Sequence, residues 1–233
     1  MRLAAATSSV IGPAHVQDNL PNQDAALACG IGKGWCVSVC DGLGSRKLSH
    51  LGSKQATKIV RSTIRSSNNV SSLSPLSISQ QVQEQWMAMY QRGYSQFETT
   101  CLWAWCDSVG KIKAGQVGDG LLLVRSNGQF SKITPYRDGF GNQTQTLAGA
   151  KESDWSTVEY SMEIAGDGVL LMTDGVSDDL IPEHFEAFFD SVYQKVKYTN
   201  KRRAKRWLTK ELSEWTTPKH GDDKSIAGIF RIG

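Results

Sequence analysis

The stretch "VLLMTDGVSDD", Val169 to Asp179, places four apolar residues in a row and follows them with three acids. An apolar run without polar alternation describes a strand buried on both faces. It ends on Asp174-Gly175, and a carboxylate delivered to the end of a buried strand is costly unless a cation meets it. The pattern recurs: "WCVSVCDGLGS", Trp35 to Ser45, delivers Asp41, and "GQVGDGLLLV", Gly115 to Val124, carries Asp119. Asp-Gly is also a favoured turn pair, so tight turns compete with carboxylates gathered at one place. Asp167-Gly168 reads as a tight turn joining two strands.

Further out, the composition sets bounds. A chain of 233 residues, 39% hydrophobic and 21% charged, is ordinary globular material and fits one domain, 1–233. A formal charge of +3 is too small to argue for nucleic acid. The N-terminal "MRLAAATSSV" is too short for a secretory signal, and no apolar run reaches a membrane span. The five cysteines include no CxxC. Cys36 and Cys40 alternate with Ser38 on one face of a strand and read as small buried hydrophobes. The expected compartment is the cytoplasm.

Residues 2–10 and 25–40 read as strands, and Leu51 to Ile64 follows helical spacing. The Ser/Asn-rich "SSNNVSSLSPLSIS" reads as an exposed connection between helices. Ser77 and Gln80 fit a capping box opening a second helix, with Val82, Trp86, Met89 and Tyr90 on one face. Strands follow at "TTCLWAWCDS", "KIKAGQVGDGLLLVRS" and "QFSKIT", and Asn127-Gly128 predicts a type I′ hairpin turn. Residues 134–155 show no periodicity, and so long a loop in a compact domain is usually functional. Two more strands precede Pro182, which opens a helix with Phe185, Phe189, Val192 and Val196 on one face. A last helix holds Ala204, Trp207, Leu208 and Trp215, and "SIAGIFRI" closes the chain as a strand. Strand runs separated from paired helices predict α+β with antiparallel sheets.

Asp24 precedes the second strand, and Asp222 and Asp223 precede the last. Several acids at strand ends, with no His or Cys cluster among them, suit hard cations such as Mg²⁺ or Mn²⁺. Two ions about 4 Å apart bridge a water, lower its pKa and clamp a phosphoryl group. No GxSxG, P-loop or phosphate-cradling cysteine loop offers another nucleophile.

The order and spacing of "NQDA", "CDGLGS", "ETTCLWAW", "GQVGDG", "LLMTDGVSD" and "GDDKSIAGIF" resemble the type 2C family of metal-dependent Ser/Thr protein phosphatases. The resemblance runs from about Thr7 to Ile232. It implies a four-layer α-β-β-α sandwich of two antiparallel sheets flanked by helices, with a binuclear metal site at one end. By position, Asp41 would bridge two metals and the Gly42 carbonyl would bind the second. Asp174 and Asp222 would complete the first, Asp24 would sit beside the second, and Asp119 would help hold a weaker third ion. Thr99 and Thr100 match a strand-borne structural pair, and 134–155 matches a variable flap. This sequence departs from the pattern at Gln23, where an acid is common, and at Gly120-Leu121, where Ser-Arg is common. "AHVQD" offers no phosphate-binding Arg, which leaves His15 as the candidate.

"KVKYTNKRRAKRWLTK", Lys195 to Lys210, concentrates eight basic residues. It reads as a solvated helix face or, more specifically, as a docking surface for an acidic phosphoprotein or lipid. The reading is a monomeric phosphoprotein phosphatase using two Mg²⁺ or Mn²⁺ ions, its substrate phosphorylated by a cognate Ser/Thr kinase. It needs neither nucleic acid nor membrane. The rivals are a pseudophosphatase that binds phosphoproteins without turnover, and a small-molecule phosphatase.

Overall fold

In the computed structural model, which describes residues 1–67, 69–90, 93–135, 144–215 and 221–233, the apolar run Val169–Met172 is the middle of a sheet. It lies in β9 (Gly168–Met172), flanked by β6 (Leu121–Ser126) and β10 (Lys224–Arg231), with β7 (Gln129–Lys132) and β1 (Leu3–Val10) at the edges. A second sheet runs in the order β2 (Ala25–Ile31), β3 (Gly34–Cys40), β4 (Cys101–Cys106), β5 (Lys111–Val117) and β8 (Ser156–Ser161). Both sheets have five strands, and every pairing is antiparallel.

Alternation within each strand separates three apolar layers. Val169 and Leu171 meet Val37, Val39, Leu102 and Ala104 between the sheets. Leu170 and Met172 face outward, onto Phe189 and Val192 of α5 (Phe185–Tyr198) and Leu208 of α6 (Lys201–Ser213). Across the molecule, Cys36, Cys40, Cys101 and Trp103 pack under α2 (Ser49–Ser66) and α3 (Pro75–Tyr90). Each fully buried Leu or Val contributes about 1.5–3 kcal/mol. The result is the expected α-β-β-α sandwich. Among the described residues, no helix is long and apolar enough to cross a membrane.

Several local expectations change. Residues 25–40 form a hairpin, not one strand, because Gly32 takes φ +60° and turns the chain between β2 and β3. "KIKAGQVGDGLLLVRS" breaks at Gly118 (φ +103°), which sends β5 and β6 into different sheets. The second helix opens at Pro75 rather than Ser77. Proline fits a first helical turn, and the Ser74 hydroxyl accepts the Ser77 N–H at 3.1 Å. Ile78, Val82 and Trp86 form its inner face, whereas Met89 is exposed. Trp215 lies beyond the end of α6 but still packs on the α5–α6 layer.

The Ser/Asn-rich connection is anchored, not simply exposed. Val70 is buried, and the carbonyls of Val70, Ser71 and Leu73 accept hydrogen bonds from the buried Lys113 ammonium. Asp167-Gly168 is not a hairpin turn, since β8 and β9 belong to different sheets. Asp167 is fully buried and accepts the backbone N–H groups of Asn127, Gly128, Glu163 and Ile164. Asn127 (φ +49°) and Gly128 (φ +76°) do make the left-handed turn expected of them. Of the flap-like segment 134–155, residues 136–143 lie outside the described residues. Leu147, beyond them, is fully buried, and its N–H donates to the Thr99 carbonyl at 2.9 Å.

Candidate metal centre

Antiparallel registry gathers the acids. Ala25 pairs with Cys40, so Asp24 and Asp41 leave β2 and β3 at the same end. Cys101 pairs with Val117, which brings the β5–β6 junction and Asp119 to that end too. In the other sheet Met172 pairs with Leu121 and Ile226, so Asp174 arrives there with the start of β10 and Asp222–Asp223. Alternating strand directions thus bring six distant acids to one end of the sandwich.

The carboxylate oxygens of Asp41, Asp119 and Asp174 lie within 4.8 Å of one another. The Asp41 backbone is fixed by the pair expected to be structural. Its carbonyl accepts from the Thr99 hydroxyl at 2.7 Å and the Thr100 N–H at 2.8 Å, and its N–H donates to the Thr100 hydroxyl at 2.9 Å. Gly42 is buried, and a Cβ there would come 2.7 Å from Ser49 backbone atoms. Its N–H donates to the Gln23 carbonyl at 3.2 Å. Asp174 opens the short helix α4 (Asp174–Ser177). Asp119 accepts a hydrogen bond from the Thr144 hydroxyl, which ties the flap-like segment to the cluster.

Asp24 lies behind these three, buried, with Oδ2 accepting the Thr173 hydroxyl at 2.8 Å. Asp222 groups instead with Asp223 and His15, the last on the short helix α1 (Pro13–Gln17). Asp223 accepts from the backbone N–H of Gly12 at 2.7 Å and of Gln23 at 2.5 Å. His15 Nδ1 is 2.8 Å from Asp223 Oδ2, close enough for an ion pair though not aligned as a hydrogen bond. Gln23 is itself buried beside Asp24.

Burial drives the electrostatics, and like charge adds to it. Burial, then the charges of Asp24, Asp174, Asp119 and Asp222, pushes the Asp41 carboxyl well above the ordinary range. Burial likewise raises Asp24, with Asp223 and Asp174 adding to the rise. Asp174 is pushed up to about 7 by burial and by Asp119, Asp222 and Asp178. Among the described residues no Lys or Arg forms an ion pair with Asp24, Asp41 or Asp174. Crowded, oxygen-only donors of this kind fit a hard divalent cation.

Sequence reasoning did not assign roles to Asp223, Thr173 or Thr144. The doubled acid of "GDDKS" signalled Asp223, whereas the two threonines gain meaning only from contacts 149 and 25 residues away.

Fold and cluster together define a two-sheet sandwich with crowded carboxylates at one end. The family model described as protein phosphatase 2C matches residues 11–213, and the chain belongs to that family of serine/threonine phosphatases. The match includes Asp24, Asp41, Asp119 and Asp174 and stops short of Asp222. The serine/threonine phosphatase Stp1 from Staphylococcus aureus is similar at TM-score 0.71 and 17% identity, covering 100% of this chain and 96% of that one. The catalytic domain of the serine threonine protein phosphatase PstP, solved with two manganese ions, is similar at TM-score 0.64 and 16% identity, covering 98% and 97%. RsbX in complex with magnesium gives TM-score 0.62 and 16% identity, covering 98% and 96%. No curated protein matches the chain in sequence.

Proposed function

We propose that this chain hydrolyses phospho-Ser/Thr in proteins with two Mg²⁺ or Mn²⁺ ions. Asp41, the Gly42 carbonyl, Asp174, Asp222 and Asp24 would hold them, and Asp119 would help hold a third, weaker ion. The observation that carries the proposal is the convergence of Asp41, Asp119 and Asp174 within 4.8 Å from three separate strand ends. The two manganese ions of PstP support the count. Two such ions, when bound, supply Lewis acidity toward a phosphoryl group and lower the pKa of a water.

The chain's own residues contribute position. Thr99 and Thr100 hold the Asp41 backbone, and Thr173 holds Asp24 against the ends of β9 and β10. Asp223 engages His15 Nδ1, so His15 would meet a substrate phosphate through Nε2. Gln23, buried and uncharged beside Asp24, favours a second reading, a phosphoprotein binder with little turnover.

Phosphate release by the purified chain from a phosphopeptide panel, with Mn²⁺, Mg²⁺ or chelator, separates the two. Hydrolysis is expected to require metal and to be lost in Asp41→Asn. Phosphopeptide binding without release in any metal would establish the second reading.

A further inference from the structure

Away from the metal centre, the β2–β3 hairpin sets two cysteines side by side. Cys29 and Cys36 are direct cross-strand partners. Both side chains face the layer under α2, where Cys36 is fully buried and Cys29, on the edge strand, is half-buried. Opposed residues of an antiparallel pair have Cα atoms about 4.5–5.5 Å apart, inside the range a disulfide spans. Cationic groups surround the outer thiol. Arg61 and Arg65 of α2 act on it through their charge, and Lys201 of α6 donates to the carbonyl of the adjacent Ala28 at 3.0 Å.

We propose that Cys29 and Cys36 form a peroxide-reactive dithiol, with Cys29 the attacking sulfur and Cys36 the resolving one. The Cys29 thiolate attacks a peroxide oxygen, the O–O bond breaks, and Cys29 becomes a sulfenic acid as water or alcohol leaves with a proton. The Cys36 sulfur then attacks the sulfenic sulfur. The S–O bond breaks, the S–S bond forms, and hydroxide departs as water with the Cys36 proton. Two thiols lose two electrons in all, and the peroxide takes them.

The surroundings suit these roles. The neighbouring Cys36 thiol, then Arg61, Lys201 and Arg65, lowers the Cys29 thiol to about 7 against the cost of its burial. The neighbouring Cys29 thiol, together with burial, pushes Cys36 well up, as befits a thiol that waits for an activated partner. At neutral pH the larger thiolate fraction, offset by lower nucleophilicity, gives about threefold to fourfold over an ordinary thiol.

The test uses the full reduced chain and about one equivalent of hydrogen peroxide, followed by alkylation and peptide mapping. Trypsin cuts after Lys33, between the two cysteines, so the bridge appears as two peptides joined by a reducible bond. Cys29 in the folded chain is expected to oxidise about threefold to fourfold faster than in the chain unfolded in urea. Cys36→Ser should leave a sulfenic acid on Cys29 that dimedone traps, and Cys29→Ser should remove the fast phase. Unchanged peroxide consumption in Cys29→Ser, a first bridge between other cysteines, or no acceleration on folding would overturn the proposal.

Discussion

Two aspartates, each followed by glycine, behave oppositely in this fold. Asp174 sits in a crowd of carboxylates, where burial and like charge raise it to about 7. A raised carboxyl binds its proton more tightly in the folded chain than in the unfolded one, where Asp titrates near 3.9. In chelator, stability is therefore expected to be greatest at acidic pH and to fall as pH rises from about 4 to about 7. Thermal melts across that window check the sign, and saturating Mg²⁺ should flatten the slope by occupying the carboxylates. Asp174→Asn removes one of the repelling charges. It should stabilise the chelated protein at neutral pH while lowering kcat by at least the roughly 10–100-fold typical of losing a metal's outer-shell support. Asp167 is the reverse case, a buried acid whose four N–H donors satisfy it. Asp167→Asn is expected to cost about 1–3 kcal/mol, read from the urea midpoint, with activity per folded molecule retained. The Asp-Gly pair looks the same in both places, and only the partners tell them apart.

At the level of elements, the connection between α2 and α3 depends on a side chain from β5. Lys113 is almost fully buried, and its ammonium donates to three carbonyls of that connection. Glu159 on the neighbouring strand β8 stands 3.7 Å away but is half exposed, so it supplies less than the carbonyl cage. Lys113→Met keeps the apolar stem and removes every donor. It should lower stability by about 1–3 kcal/mol and speed amide exchange at Val70 to Leu73, with exchange in β9 tracking only the global change. The sequence of the connection is mostly polar, and that polarity suggested exposure. Its one buried apolar residue, Val70, and the lysine that holds it are 43 positions apart.

Across the whole molecule, the candidate metal centre joins the two sheets. Asp24 and Asp41 come from one sheet, Asp174 and Asp222 from the other, and Asp119 from the chain that crosses between them. A cation held there binds the assembled sandwich and not its parts. Calorimetry should therefore show one transition that moves up with added Mn²⁺, by about 2.7 kcal/mol at a hundredfold excess over Kd. Two transitions, with only one moving, would place the cation within a single sheet. By itself, the apolar patterning determined α+β with antiparallel sheets, because it states which strand and helix faces are buried, and the resemblance to the type 2C family supplied the four layers. The sequence also singled out Asp41 and Asp174, because Asp-Gly at the end of a buried strand is a costly pattern that needs a reason, whereas the full ligand set came from the resemblance. Tertiary structure alone decided which acids meet. Asp119 joins Asp41 and Asp174, Asp222 groups with His15 and Asp223, and Asp167 caps two loops rather than forming a turn. The physical reason is that strand registry and sheet assignment fix these distances, and both depend on pairings between residues far apart in the chain.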